Sequence, residues 1–196
     1  MNGPKLIFIA LVLFGALNWW GGREVSLPPG VVASDLPRQT PVSGEREFTR
    51  NGYRIRPLAR FEVTARVLGT EHYRLDREAQ LAPVDLALGW GRMSDTAVLE
   101  RIRIRQSGRF YFWSTDQFPI PRREIETSSA NMHMIPADDQ VEAALKGLRK
   151  GQVVTVRGYL VEAVASDGWR WRSSMTRNDT GAGACELIWV ESVSPI

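Results

Sequence analysis

Residues 138–164 read DDQVEAALKGLRKGQVVTVRGYLVEAV, and the change of period inside this stretch decides the fold class. In its first half Val141, Ala144, Leu145 and Leu148 recur at i, i+3, i+4 and i+7, the spacing of one helix face. Asp138 or Asp139 can cap the start, with Glu142 placed for a capping box. Lys146, Arg149 and Lys150 complement the dipole at the far end, and Gly151 stops the helix. The spacing predicts a helix over Asp138–Lys150. From Val153 to Val164 the pattern becomes that of a long strand, with Gly158 marking a bulge or bend.

Downstream the chain stays β-like. Asp167-Gly168 is a turn signal, Trp169 to Ser174 alternates, and Asn178 to Gly183 reads as a loop. Cys185 to Val193 is apolar on both sides, which suits a central strand. Upstream, Arg101–Gln106 and Arg109–Trp113 form a hairpin joined by Ser107-Gly108, with Gln106 opposite Arg109. One face then carries Ile102, Ile104, Tyr111 and Trp113; the other carries Arg101, Arg103, Arg105, Phe110 and Phe112. Phe61, Val63, Ala65 and Val67 alternate with polar residues, a strand with one buried face. Pro83 opens a predicted short helix to Leu88, and Ser94 caps another at Asp95–Leu99. The expected architecture is mainly β with one packed helix (α+β), a small antiparallel OB-like barrel, preceded by a single transmembrane helix.

That transmembrane reading rests on Lys5 followed by LIFIALVLFGALNWW, residues 6–20. The run is 15 residues long, between a secretory core of roughly 7–15 and a span of about 17–25. Its end, Ala16-Leu17-Asn18-Trp19-Trp20, is a poor cleavage site, and paired tryptophans suit the headgroup region. We therefore expect an uncleaved signal anchor over 1–22 that contacts the bilayer through residues 6–20; a buried core helix is the alternative. Residues 23–57 hold Pro28, Pro29, Pro37 and Pro41 without apolar period and read as a semi-stiff linker. Residues 58–196 are the extracytoplasmic domain.

Composition is that of a globular protein: 43% hydrophobic, 24% charged, net charge +3. This excludes a disordered chain. Of 25 basic residues only Lys5, Lys146 and Lys150 are lysine. Arginine forks select carboxylate or phosphate groups, though a GC-rich genome gives the same bias. Cys185 is the single cysteine, so the exported domain has no internal disulfide and its core must suffice.

At APVDLALGWGRMSD (Ala82 to Asp95), NMHMIPA (Asn131 to Ala137) and GWRWRSSMTRNDTGAGACELIWV (Gly168 to Val190) the chain resembles an uncharacterised family of membrane-anchored bacterial proteins. The resemblance brings no activity. It implies a single-pass protein of the bacterial inner membrane with its C-terminal domain in the periplasm.

The best binding candidate is the hairpin face with Arg101, Arg103 and Arg105 beside Phe110 and Phe112. Interleaved cations and aromatics hold anionic polymers. Outside the cytoplasm the commoner anions are lipid headgroups and cell-wall polymers, so nucleic acid is an unlikely partner. The alternative is that arginine stems cover the phenyl rings while Glu62, Glu100 or Glu124 neutralise the heads. Asp85 and Trp90 flank the glycines of LGWG, a backbone shaped either for contact or for Trp90 to plug a barrel end. His133 with Cys185, or with Asp179 beside Arg177, is the candidate hydrolytic set; a structural cysteine and a backbone-bonded loop histidine explain the same residues. No metal-ligand spacing occurs, and no cofactor is expected. Function is expected to be binding or assembly on a membrane tether, with an extracytoplasmic hydrolase or an anionic-polymer binder as alternatives.

Overall fold

The computed structural model describes Phe8, residues 23–176 and residues 185–196. The rest of the anchor and both Arg177 and Asp179 lie outside these residues. No described helix is long and apolar enough to cross a membrane. The described chain is mainly β with a few short helices.

Ten strands are present among the described residues: β1 (Arg38–Pro41), β2 (Phe48–Arg50), β3 (Tyr53–His72), β4 (Val84–Gly89), β5 (Arg103–Ser107), β6 (Phe110–Ser114), β7 (Ser129–Pro136), β8 (Val153–Val164), β9 (Arg170–Arg172) and β10 (Glu186–Pro195). The long strand predicted at Val153–Val164 is β8, residue for residue. In the main sheet β3 pairs β4, β4 pairs β7, β7 pairs β10, β10 pairs β8, and β8 pairs β3 again. The path of neighbours thus returns to its first strand. Every pairing on it is antiparallel except β7–β10.

Alternation along β3 does what the sequence implies. Phe61, Val63, Ala65 and Val67 are buried, and meet Leu86 and Leu88 of β4, Met132 and Met134 of β7, Val154, Val156 and Leu160 of β8, and Ile188 and Val190 of β10. The Asp139–Lys146 helix covers this core through Val141 and Leu145, with Leu148 just beyond its end. It is shorter than the Asp138–Lys150 expected. Asp138 is its N-cap, accepting from Val141 N–H at 2.8 Å, and it stops at Gly147 rather than Gly151. Gly158 does not bulge β8. It lets the β10 backbone close in: a Cβ there would sit 1.8 Å from the Trp189 carbonyl oxygen. The register shift falls on β10, between Val190 and Ser192.

Four expectations change. Residues 84–89 form β4, not a helix, because pairing with β3 on one side and β7 on the other buries every residue of the strand. The helix that follows is Thr96–Leu99, capped by Asp95 rather than Ser94. A further short helix, Arg122–Thr127, precedes β7, so the packed helix is not alone. Part of the stretch read as linker joins the sheet: β1 pairs β3 from Arg38↔Glu62 to Pro41↔Ala59, and β2 pairs the start of β3. Pro37 precedes β1 and Pro41 is its last residue, as an edge strand allows.

Candidate functional site

The β5–β6 hairpin is a separate two-stranded sheet inserted between β4 and β7 in the chain. Ser107 pairs Phe110, so the turn residues are Gly108 and Arg109, one step later than predicted. Both have positive φ, 57° and 72°. That is the primed turn whose twist matches a hairpin, and it favours glycine at each position. The slip moves both strands together, so the two faces keep their expected members. Ile104, Gln106, Tyr111 and Trp113 point inward, while Arg103, Arg105, Phe110 and Phe112 point out. Gln106 anchors the inner face by donating to Asn131 Oδ1 at 2.7 Å.

On the outer face Phe110 and Phe112 are 45% and 44% exposed, with ring centroids 6.3 Å apart. The Arg105 guanidinium stands over the Phe112 ring at 5.1 Å. Arg103 is held by both oxygens of Asp116, at 2.9 and 3.0 Å. Arg101 reaches Gln117 Oε1 at 3.5 Å. The expected counter-charges are engaged elsewhere, Glu62 with Arg157 and Glu124 with Arg92. Asp116 on the loop after β6 takes their role.

Arg109, at the hairpin tip, is the residue that sequence reading missed. It tolerates its left-handed backbone because its N–H, its carbonyl and both terminal guanidinium nitrogens are held, while Nε is buried without a partner. Its N–H donates to the Tyr73 hydroxyl at 3.0 Å. Its Nη1 donates to the Ala82 carbonyl at 2.8 Å and to Asp85 Oδ1 at 3.0 Å, and its Nη2 to Asp76 Oδ1 at 3.0 Å. The guanidinium lies 3.7 Å above the Tyr73 ring. Its carbonyl accepts from Asn131 Nδ2 at 3.1 Å, and the Cys185 thiol sits 4.0 Å away.

Asp85, fully buried on β4, is the centre of this junction. Besides Arg109 it receives Asn131 Nδ2 at 3.3 Å, and His133 Nδ1 lies 2.9 Å from its Oδ1. That last contact is close but off the direction of the ring N–H, so it is not an aligned hydrogen bond. Register explains the convergence: β4 and β7 pair Asp85 directly with His133 and Ala87 with Asn131. Burial, and then the Asp85 charge, push the Tyr73 phenol up to about 12. Burial does the same to Tyr111, whose hydroxyl donates to Ser129 at 3.1 Å.

The predicted residues therefore fall into separate places. Asp85 and His133 meet, and Cys185 reaches the same junction through the Arg109 carbonyl. Cys185 is half-buried, not enclosed as its apolar neighbours suggested. His133 is on strand β7 beside Trp171, at 4.8 Å between rings, not on a loop. Trp90 is fully buried in the main core with its backbone N–H on the Ser128 carbonyl, so it offers no contact surface. Among the described residues no group of His, Cys, Asp and Glu is placed to hold a metal ion.

One signal for the junction was present in the sequence. An aspartate inside the apolar run VDLALG is buried wherever both faces of that run are covered, and a buried carboxylate demands a cation. The sequence did not say which of 25 basic residues supplies it. Comparison with known proteins finds no matching family model, no matching curated protein and no matching solved structure.

Proposed function

We propose that this chain is a membrane-tethered, periplasmic binding module of a bacterial inner-membrane protein, and that it takes an anionic surface or polymer on the outer face of the β5–β6 hairpin. The strand order supports an OB-like reading. The ring β3-β4-β7-β10-β8, its single parallel pair and a helix between the third and fourth strands match a five-stranded Greek-key barrel. In such barrels the second and third strands form the ligand face. Here the hairpin lies over β4 and β7 through Gln106 and Arg109, so the face turned outward belongs to the hairpin itself.

The observation that carries the reading is the pair of half-exposed phenyl rings with Arg105 over one of them, on an outward-facing strand pair. Asp116 offsets Arg103, and Arg101 and Arg105 keep the face cationic. A triple variant with Arg101, Arg103 and Arg105 changed to Gln tests it. Retention on anionic liposomes or heparin at low salt should fall with unchanged unfolding. Retention unaffected by the substitutions or by salt would overturn it.

A second reading is favoured by the Asp85–His133 contact, which resembles a base beside its orienting carboxylate. Asp85 also faces Arg109, so its charge is shared, and this weakens it as a partner for an imidazolium. Rapid alkylation of Cys185 that slows in His133→Gln would favour a hydrolase using this set.

A further inference from the structure

A cavity of about 400 Å³ lies between β3, the Thr96–Leu99 helix, the inner side of the hairpin and the chain at 24–27. Leu27, Val67, Leu68, Leu99, Ile102 and Ile104 give it an apolar wall. Arg66 stands in the same lining although only 5% of it is exposed. Its Nη1 donates to the Ser94 carbonyl at 3.2 Å and to Thr96 Oγ1 at 2.6 Å. Among the described residues the Nε–H and both Nη2–H groups have no acceptor, and no carboxylate forms an ion pair with this guanidinium. Nor are those atoms sealed in, since the fully enclosed unpartnered atoms belong to other residues. Burial partly strips this charge of water, and Glu24 and Asp95 act on it only from beyond ion-pair distance, so a closer acceptor in the cavity would be favoured.

Other charges around the cavity narrow the ligand. Glu24 and Glu100 line it, and Lys150 holds Glu24 at 3.1 Å. Two carboxylates at the rim disfavour a dianion. A single carboxylate matches the one free fork of Arg66 in bidentate geometry. At about 30 Å³ per non-hydrogen centre, the liquid share of a water, the volume takes about a dozen such atoms.

We propose that this cavity binds an amphipathic monocarboxylate, with the carboxylate on Arg66 and an aliphatic chain of about eight carbons along Leu68, Leu99, Ile102 and Ile104. The site is distinct from the outer hairpin face, which points the other way.

The experiment is calorimetric titration of the full-length chain with octanoate and, in parallel, with octanol. Octanoate should bind at least tenfold more tightly than octanol. Arg66→Gln should bring the two to similar affinity, and Ile104→Trp, which fills the cavity, should abolish both. If Arg66→Gln fails to fold, the wild-type comparison and Ile104→Trp decide alone. Equal binding of alcohol and acid, binding that survives Ile104→Trp, or no binding of octanoate would each overturn the proposal.

Discussion

Replacing Arg109 by Met keeps the length and most of the apolar contact of the side chain but removes the cation from beside Asp85. Asp85 is fully buried and Arg109 nearly so, with 15% of its side chain exposed. Removing one partner of such a pair leaves an uncompensated charge and costs about 3–5 kcal/mol. The bonds to Ala82 and Asp76 go as well, while Asn131 and the nearby His133 still face the carboxylate, so the lower end, about 3 kcal/mol, is expected. At this size that is a fall in Tm of about 6–12 °C. Adding Asp85→Asn should recover part of the loss, because the neutral amide removes the stranded charge. The coupling should lie between about 0.5 and 3 kcal/mol. Urea unfolding of the two single variants and the double variant, followed by tryptophan fluorescence, measures this directly; Trp171, 5.7 Å from the Arg109 guanidinium, reports on the junction. A loss below about 1 kcal/mol for Arg109→Met, or a double variant less stable than Arg109→Met, would refute the account of Asp85 as a charge held by Arg109.

Leu145→Ala should destabilise the domain by about 2–5 kcal/mol, since Leu145 is fully buried under the main core; a loss under about 0.5 kcal/mol in the same assay would place the helix on the surface. Gly158→Ala should cost about 1–3 kcal/mol or more, because its methyl would meet the Trp189 carbonyl, and amide exchange should quicken at the β8–β10 pairing. Tyr73 and Tyr111 should ionise near pH 12, with one ultraviolet step lost in each Phe variant. Their folded values lie above the unfolded value of about 10. The neutral phenols therefore support the fold fully below pH 10, and that support is lost as pH rises toward 12.

Strands whose apolar pattern agrees with their surroundings were legible, and those decided by distant partners were not. Val153–Val164 could be read to the residue because its run is long and bounded by Gly151 and by the Asp167-Gly168 turn. Val84–Gly89 was misread because a six-residue run buried on both faces carries no period, and Pro83 favoured a helix start. The hairpin faces were correct although the turn was one residue off, since advancing both strands together preserves which side chains share a side. Asp85 was singled out, but its role depends on Arg109, which in the sequence reads as the first residue of a hairpin strand opposite Gln106. Only the docking of the hairpin tip onto β4 and β7 makes it interior.

The ring of strands also has an order in time. Its first strand cannot be completed locally: Glu62 on β3 bonds Arg157 on β8, 95 positions later. β7 likewise lacks its parallel neighbour until β10, where Glu186 pairs Met132. Contacts this remote slow folding, because long loops must close before they are rewarded. The circuit of pairings therefore cannot close until residues 186–195 have joined it, and whatever holds that segment back holds back the sheet as a whole.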